Sequence, residues 1–236
     1  MDEKIDLYIV SRGRYERCFT LESLGDVSAI ADVKLVVHFT ERGEYLPLAK
    51  KHGVELVEYD YESIGHKRQI IGKNAADKFI VMDDDLTFFK RKSETDWHLR
   101  KLKVGESSEM LASINEKLDY YAHVGVSARE GQNRLESPFV YTTRYMRVLG
   151  YRKKEYMQCQ HNRVQFMEDF DINLQLLRKG YQSCVTTTFA QNQVGTQMKG
   201  GCSEQRTIAK HEQSAKKLAE LHHPFVKLRQ KRGRIW

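Results

Sequence analysis

Between Lys78 and Phe89 the chain reads Lys-Phe-Ile-Val-Met-Asp-Asp-Asp-Leu-Thr-Phe-Phe, so four apolar residues run into three carboxylates and a second apolar group follows at once. Acids pinned between two segments that must be buried do not form a solvated tail. In an extended strand alternate side chains share a face, which turns Asp83 and Asp85 the same way and Asp84 the other. Carboxylates this close repel unless a cation joins them. Oxygen-only ligands select a hard ion, Mg²⁺ or Mn²⁺, that keeps positions open for phosphate oxygens. The plain alternative is a strand that ends in a solvated acidic turn.

The segments around this stretch alternate. Ile5–Val10 reads as a strand stopped by Ser11-Arg12-Gly13-Arg14, and helical spacing from Tyr15 to Leu24 ends at Gly25. A second strand over Val33–Phe39, a helix from Glu44 to His52, a third strand over Val54–Tyr59, a helix over Ile64–Ala76 and a fourth strand over Phe79–Met82 follow. Strands and helices in this order predict an α/β fold with a mostly parallel central sheet, because crossover helices are the short right-handed way to join parallel strands. Ligands of such sheets sit beyond the carboxyl ends of the strands. Ser11-Arg12, Thr40 and Asp83 to Asp85 all fall on that edge. Beyond it, Lys90–Ser108 reads as a charged surface segment, Met110–Tyr120 as a helix, Tyr121–Ser127 as a strand and Ala128–Ser137 as a polar loop. Met167–Lys179 is amphipathic with Gly180 as its stop, and Tyr181–Phe189 is a strand. Gln191–Cys202 reads as a glycine-rich loop, and Ser203 as the cap of a last helix that ends at Leu221.

At 236 residues the chain can bury the core of one domain. Its net charge of +7 is local: residues 199–236 hold ten Lys or Arg against three Glu, while the preceding residues carry 29 charges of each sign. A basic tail of this kind suits a polyanion, through phosphate neutralisation and counterion release. Cys18, Cys159, Cys184 and Cys202 are too scattered for a zinc site or a disulfide framework. There is no run of about 18 apolar residues and no signal-like start. The expectation is therefore a cytoplasmic protein without a membrane segment or an obligate protein partner.

Ile9-Val10-Ser11-Arg12, Gly65-His66-Lys67-Arg68 ahead of Asn74, Asp83-Asp84-Asp85, and Glu168-Asp169 opening a helix resemble, in order and spacing, the motifs of GT-A glycosyltransferases. The resemblance implies a GT-A (Rossmann-like) three-layer domain spanning residues 1–236: a nucleotide-sugar-binding half over 1–90, an acceptor half over 91–190, and a flexible loop, helix and basic helical tail over 191–236. It implies a nucleotide diphosphate sugar as donor, with Mn²⁺ or Mg²⁺ held by Asp85 and by Asp83 directly or through water, unless Asp83 reaches the ribose instead. A late histidine, His211, can complete that metal site. Ser11, Arg12, Arg14 and Asp84 border the nucleotide, Lys67, Arg68 and Asn74 hold phosphate or base, and Lys199 and Arg206 close over the diphosphate. Asp169 becomes the base that takes the acceptor's proton in an inverting reaction; in a retaining one, Glu168 or Asp169 holds the donor sugar.

More narrowly, the Gly-His-Lys-Arg to Asp-Asp-Asp spacing, Met167-Glu168-Asp169-Phe170-Asp171 and Gly200-Gly201-Cys202-Ser203 before a basic end resemble the phage TET-associated glycosyltransferase family. Its members are implicated in placing sugars on hydroxymethylated pyrimidines in DNA. Lys227, Arg229, Lys231, Arg232 and Arg234 beside Phe225 and Trp236 offer phosphate contacts and stacking rings, and Arg152, Lys153 and Lys154 add charge in the acceptor half. Three other readings stand beside this one: a transferase acting on a polysaccharide, lipid or protein, a non-catalytic DNA-binding module on the same fold, and a nucleotidyltransferase. The last lacks a glycine-rich phosphate loop at its first turn.

Overall fold

A computed structural model of the protein describes residues 4–132, 137–195, 207–231 and 234–235. The first half is β1 (Ile5–Val10), α1 (Phe19–Leu24), β2 (Ala31–His38), α2 (Arg42–His52), β3 (Glu55–Tyr59), α3 (Ile64–Asn74), β4 (Lys78–Asp83), β5 (Leu86–Arg91) and β6 (Leu99–Lys101). The second half is α4 (Glu106–Lys117), β7 (His123–Ala128), α5 (Arg129–Gln132), β8 (Phe139–Tyr141), β9 (Val148–Arg152), α6 (Lys153–Tyr156), α7 (Glu168–Arg178), β10 (Ser183–Gln193), α8 (Ile208–Leu221), and the short strands β11 (Gln230–Lys231) and β12 (Arg234–Ile235).

One sheet runs β3-β2-β1-β4-β9-β7-β10-β5-β6, with β8 added on β10. Strands β1 to β4 pair in parallel, and β7 and β10 run the same way; β9 is wedged antiparallel between β4 and β7. The sheet is thus mixed, with seven of its ten strands in the common direction and β5, β8 and β9 reversed. Alternation along β1 sends Leu7 and Ile9 to one face and Tyr8 and Val10 to the other. The first face packs on α1, α2 and α4 through Leu21, Leu48, Met110 and Ile114, and the second on α3, α6 and α7 through Ile71, Tyr156, Ile172 and Leu176. These layers make the three-layer α/β arrangement that the sequence predicts.

Two segments differ from expectation. Lys90–Ser108 is not a free surface segment, because β5 and β6 pair antiparallel and extend the sheet, with β5 also paired to β10. Their charges meet partners at the edge: Lys90 with Glu109 at 2.5 Å and Arg100 with Glu106 at 2.6 Å, while buried Arg91 donates to the Thr187 carbonyl at 2.7 Å. The last helix is capped by Thr207, whose hydroxyl accepts from Lys210 N, rather than by Ser203, which lies outside the described residues. It ends at Leu221, and the basic tail beyond it is extended chain and the β11–β12 hairpin, with β12 lying against α8, not a helical tail. Among the described residues, no helix is long and apolar enough to cross a membrane.

Candidate active site

The carboxyl ends of β1 and β4 lie side by side, with Val10 level with Asp83. The strand stops there and the chain bends, so period-two alternation does not carry through the acids. Instead Asp84 and Asp85 share one partner: an Arg14 terminal nitrogen donates to Asp84 Oδ1 at 2.6 Å and to Asp85 Oδ2 at 2.8 Å. Ser11 Oγ also donates to Asp84, and Tyr45 OH, 2.7 Å from Ser11, accepts from Arg14 N at 2.9 Å. Burial raises the Asp84 carboxyl; Arg14 and Ser11 oppose that shift and neighbouring Asp85 adds to it. The β1 loop is thereby built as a clamp on the acidic bend.

Asp83 turns elsewhere, towards Arg68. In α3, Ser63 caps the helix by accepting from His66 N at 3.0 Å. Gly65, two residues beyond the cap, lets the loop before α7 come so close that a Cβ there would sit 2.7 Å from the Asn162 Cα. That contact brings α3 against the start of α7. Buried Arg68 lies 2.9 Å from Glu168 and 3.7 Å from Asp83, so one guanidinium joins the acid at the end of β4 to the acid at the start of α7. Its Nε and one terminal nitrogen nonetheless have no aligned hydrogen-bond acceptor.

Next to Glu168, Asp169 accepts from Phe170 N at 2.9 Å. Desolvation first, then the charge of Glu168, pushes Asp169 up to about 6 against the pull of Arg68. Although a third of the Asp83 side chain reaches solvent, its surroundings push it up to about 7, by desolvation and by the charges of Asp85, Asp169 and Asp84, again opposed by Arg68. Groups shifted by specific neighbouring charges are candidates for a functional site.

The remaining expected residues divide. Arg12 and buried Lys67 flank the Tyr61 ring at 5.9 and 5.0 Å, beside His38 at the end of β2, on the same edge as the acids. Asn74 is at the far end of α3, its amide donating to the Ile70 carbonyl, so the structure does not bring it to the site. Arg152 ends β9 level with Lys78, and Lys153 and Lys154 follow it, on the opposite edge of the sheet from Asp83. Arg152 pairs with Glu155 at 3.0 Å and Lys153 holds the Ala75 carbonyl at 2.7 Å, which are fold contacts; Lys154 is exposed. His211 is half-buried one turn before Ser214, whose hydroxyl accepts from Phe166 N just ahead of Glu168. Lys227 and Arg229 are exposed, Lys231 and Arg234 lie on the β11–β12 hairpin, and Lys199, Arg206 and Arg232 lie outside the described residues.

Two contacts were not anticipated. Gln193 donates to Asp85 Oδ2 at 2.8 Å and Val194 N to the Asp85 carbonyl at 2.9 Å, because β10 continues four residues beyond Phe189, where its apolar pattern stops. Polar strand ends carry no hydropathy signal. The outcome for Asp85 is a carboxylate with one oxygen held twice and the other, Oδ1, buried and unpartnered. An orphaned oxygen among acids fits a hard divalent cation. Among the described residues no three His, Cys, Asp or Glu side chains form a ready cage, so phosphate or water oxygens would complete the set.

No curated protein matches the chain. Among solved structures, the inositol-1-phosphate CTP transferase from T. maritima is similar with a TM-score of 0.48 at 10% identity, over 92% of this chain and 97% of that one. A 4-diphosphocytidyl-2C-methyl-D-erythritol synthase from Anaerococcus prevotii gives 0.49 at 10% identity, over 78% and 88%. The glycosyltransferase GlyE of Streptococcus pneumoniae gives 0.40 at 15% identity, over 77% and 45%. The model of the TET-associated glycosyltransferases matches residues 5–201, a span that holds the β1 loop, the three aspartates and the start of α7. The resemblance drawn from the motifs is borne out: this chain belongs to the TET-associated glycosyltransferase family.

Proposed function

We propose that the protein is a metal-dependent transferase that moves a sugar from a nucleotide diphosphate donor to the hydroxymethyl group of a modified pyrimidine in DNA. The observation that supports this reading is the double ion pair of Arg68, which joins Asp83 at the end of β4 to Glu168 at the start of α7. Asp85, through its unpartnered Oδ1, and Asp83 would hold Mn²⁺ or Mg²⁺, which when bound supplies Lewis-acid stabilisation of the leaving diphosphate. Arg14 and Gln193 fix the orientation of Asp85. The terminal nitrogen of Arg68 that has no acceptor can donate to a phosphate oxygen. Tyr61 with Arg12 and Lys67 offers a ring and cations to the nucleotide.

Asp169 is the base that removes the acceptor hydroxyl's proton. With its carboxyl near 6, it is ionised at neutral pH and more basic than an ordinary aspartate. The family, whose name ties it to TET enzymes, and the exposed basic residues Lys227 and Arg229 support DNA as acceptor. A modified base inside a duplex must leave the stack to present its hydroxyl at Asp169. The test is incubation of the protein and Mn²⁺ with a panel of nucleotide sugars and hydroxymethylcytosine DNA. A mass gain of one sugar per modified base is expected; no gain with any donor contradicts the proposal.

A further inference from the structure

We infer that Arg147 is a phosphate-binding residue of the cleft. It stands just ahead of β9, and its carbonyl accepts from Asp83 N at 3.1 Å, which makes it the residue beside the central acid across the β4–β9 pair. Its backbone is left-handed, with φ +68°, in a residue that is neither glycine nor asparagine. Such a conformation is costly for a bulky side chain and persists where the surroundings require it. Glycine would fill the turn at less cost, so the arginine side chain is what this position retains.

That side chain is poorly matched inside the protein. Only 19% of it is exposed, yet its guanidinium has one long hydrogen bond, 3.4 Å to Gln191 Oε1, and a carboxylate at 3.9 Å, Glu130, whose own side chain is 69% exposed. Gln191 is fully buried and neutral, and a pair with so solvated a glutamate is screened. Among the described residues this half-buried guanidinium therefore has only weak partners, which leaves donors for an incoming anion. These contacts place the guanidinium over the carboxyl ends of β7 and β10, on the acceptor side of Asp83. A planar fork of donors at that point matches the oxygens of a phosphate. The donor's diphosphate and a phosphodiester of the acceptor share this chemistry, and the inference rests on the proposed reaction only in supplying those two sources.

The test is calorimetric titration of inorganic pyrophosphate with Mn²⁺, and separately of a short DNA duplex, into the wild type, Arg147→Gln and Arg147→Gly, with melting temperatures measured in parallel. Both variants are expected to lose roughly tenfold or more in affinity for one of the two probes, the size of one charge-assisted contact. Loss for pyrophosphate assigns Arg147 to the donor, and loss for duplex alone assigns it to the acceptor. Arg147→Gly should melt at or above the wild-type temperature, because it relieves the left-handed cost. Wild-type affinity for both probes in both variants overturns the inference, and so does a lower melting temperature for Arg147→Gly, which identifies a structural arginine. A wild-type protein that binds neither probe overturns this site and the proposed donor together.

Discussion

Glu168, Asp169 and Asp171 occupy one turn of α7, and each meets a different environment. Glu168 is paired with Arg68, and Asp171 is locked by Arg163 and His222, which leaves Asp169 as the acid of that turn without a guanidinium bound to it. Because its carboxyl sits near 6 and the base must be ionised, the transfer rate should rise as pH increases through about 6 and level off above it. A pH profile of kcat/KM checks this; a rate that falls over the same range contradicts the assignment. His123 carries the opposite shift. Its ring accepts from Tyr145 OH at Nδ1 and donates to the Tyr181 carbonyl from Nε2, and burial lowers it to about 4. The fold therefore favours the neutral ring, so the stability it supplies is complete above 6.5 and lost as pH falls from 6.5 towards 4. Between pH 7 and 5 the loss is on the order of 1–2 kcal/mol, and urea unfolding of His123→Gln should show a smaller change over that interval than the wild type.

At the scale of elements, the cleft depends on how closely α3 meets the loop leading into α7. Gly65→Ala drives a Cβ into the Asn162 backbone, so it should destabilise by about 1–3 kcal/mol and separate Arg68 from Glu168. Chemical denaturation together with loss of transfer activity tests both effects; wild-type values for both contradict this packing. Asp171 ties α7 to the end of α8 through His222, with Arg163 bound to the same carboxylate. Removing it in Asp171→Ala leaves half-buried Arg163 and buried His222 without their carboxylate, at a cost of about 1–3 kcal/mol in the unfolding free energy. The elements legible in the sequence were those with a one-sided or wholly apolar pattern, such as Ile5–Val10 and Phe79–Met82. The β5–β6 hairpin was not, because Lys90, Arg91 and Arg100 read as solvated charges until the partners that satisfy them are known. In the site, the acids and Arg68 were legible from residue type and order. Gln193 and Tyr45 were not, since their roles come from the place where distant strands end.

For the whole molecule, the sheet's carboxyl edge gathers Ser11, Arg14, Arg68, Asp83 to Asp85 and Gln193, while Arg152 to Lys154 sit on the other edge. Charge summed along the sequence did not distinguish these two edges. Of the basic groups proposed to meet DNA, Lys154, Lys227 and Arg229 are exposed among the described side chains. A chain ending at Pro224 should bind duplex DNA about tenfold or more weakly at low salt while donor affinity is kept, and equal losses would make the tail structural. The claim on which the molecule's reading rests is that a donor held at Asp83 to Asp85 meets an acceptor deprotonated at Asp169. Its most direct test is the measurement of donor binding and sugar transfer side by side in Asp169→Asn. The account predicts unchanged donor affinity with transfer lowered at least a hundredfold; transfer at the wild-type rate would contradict it.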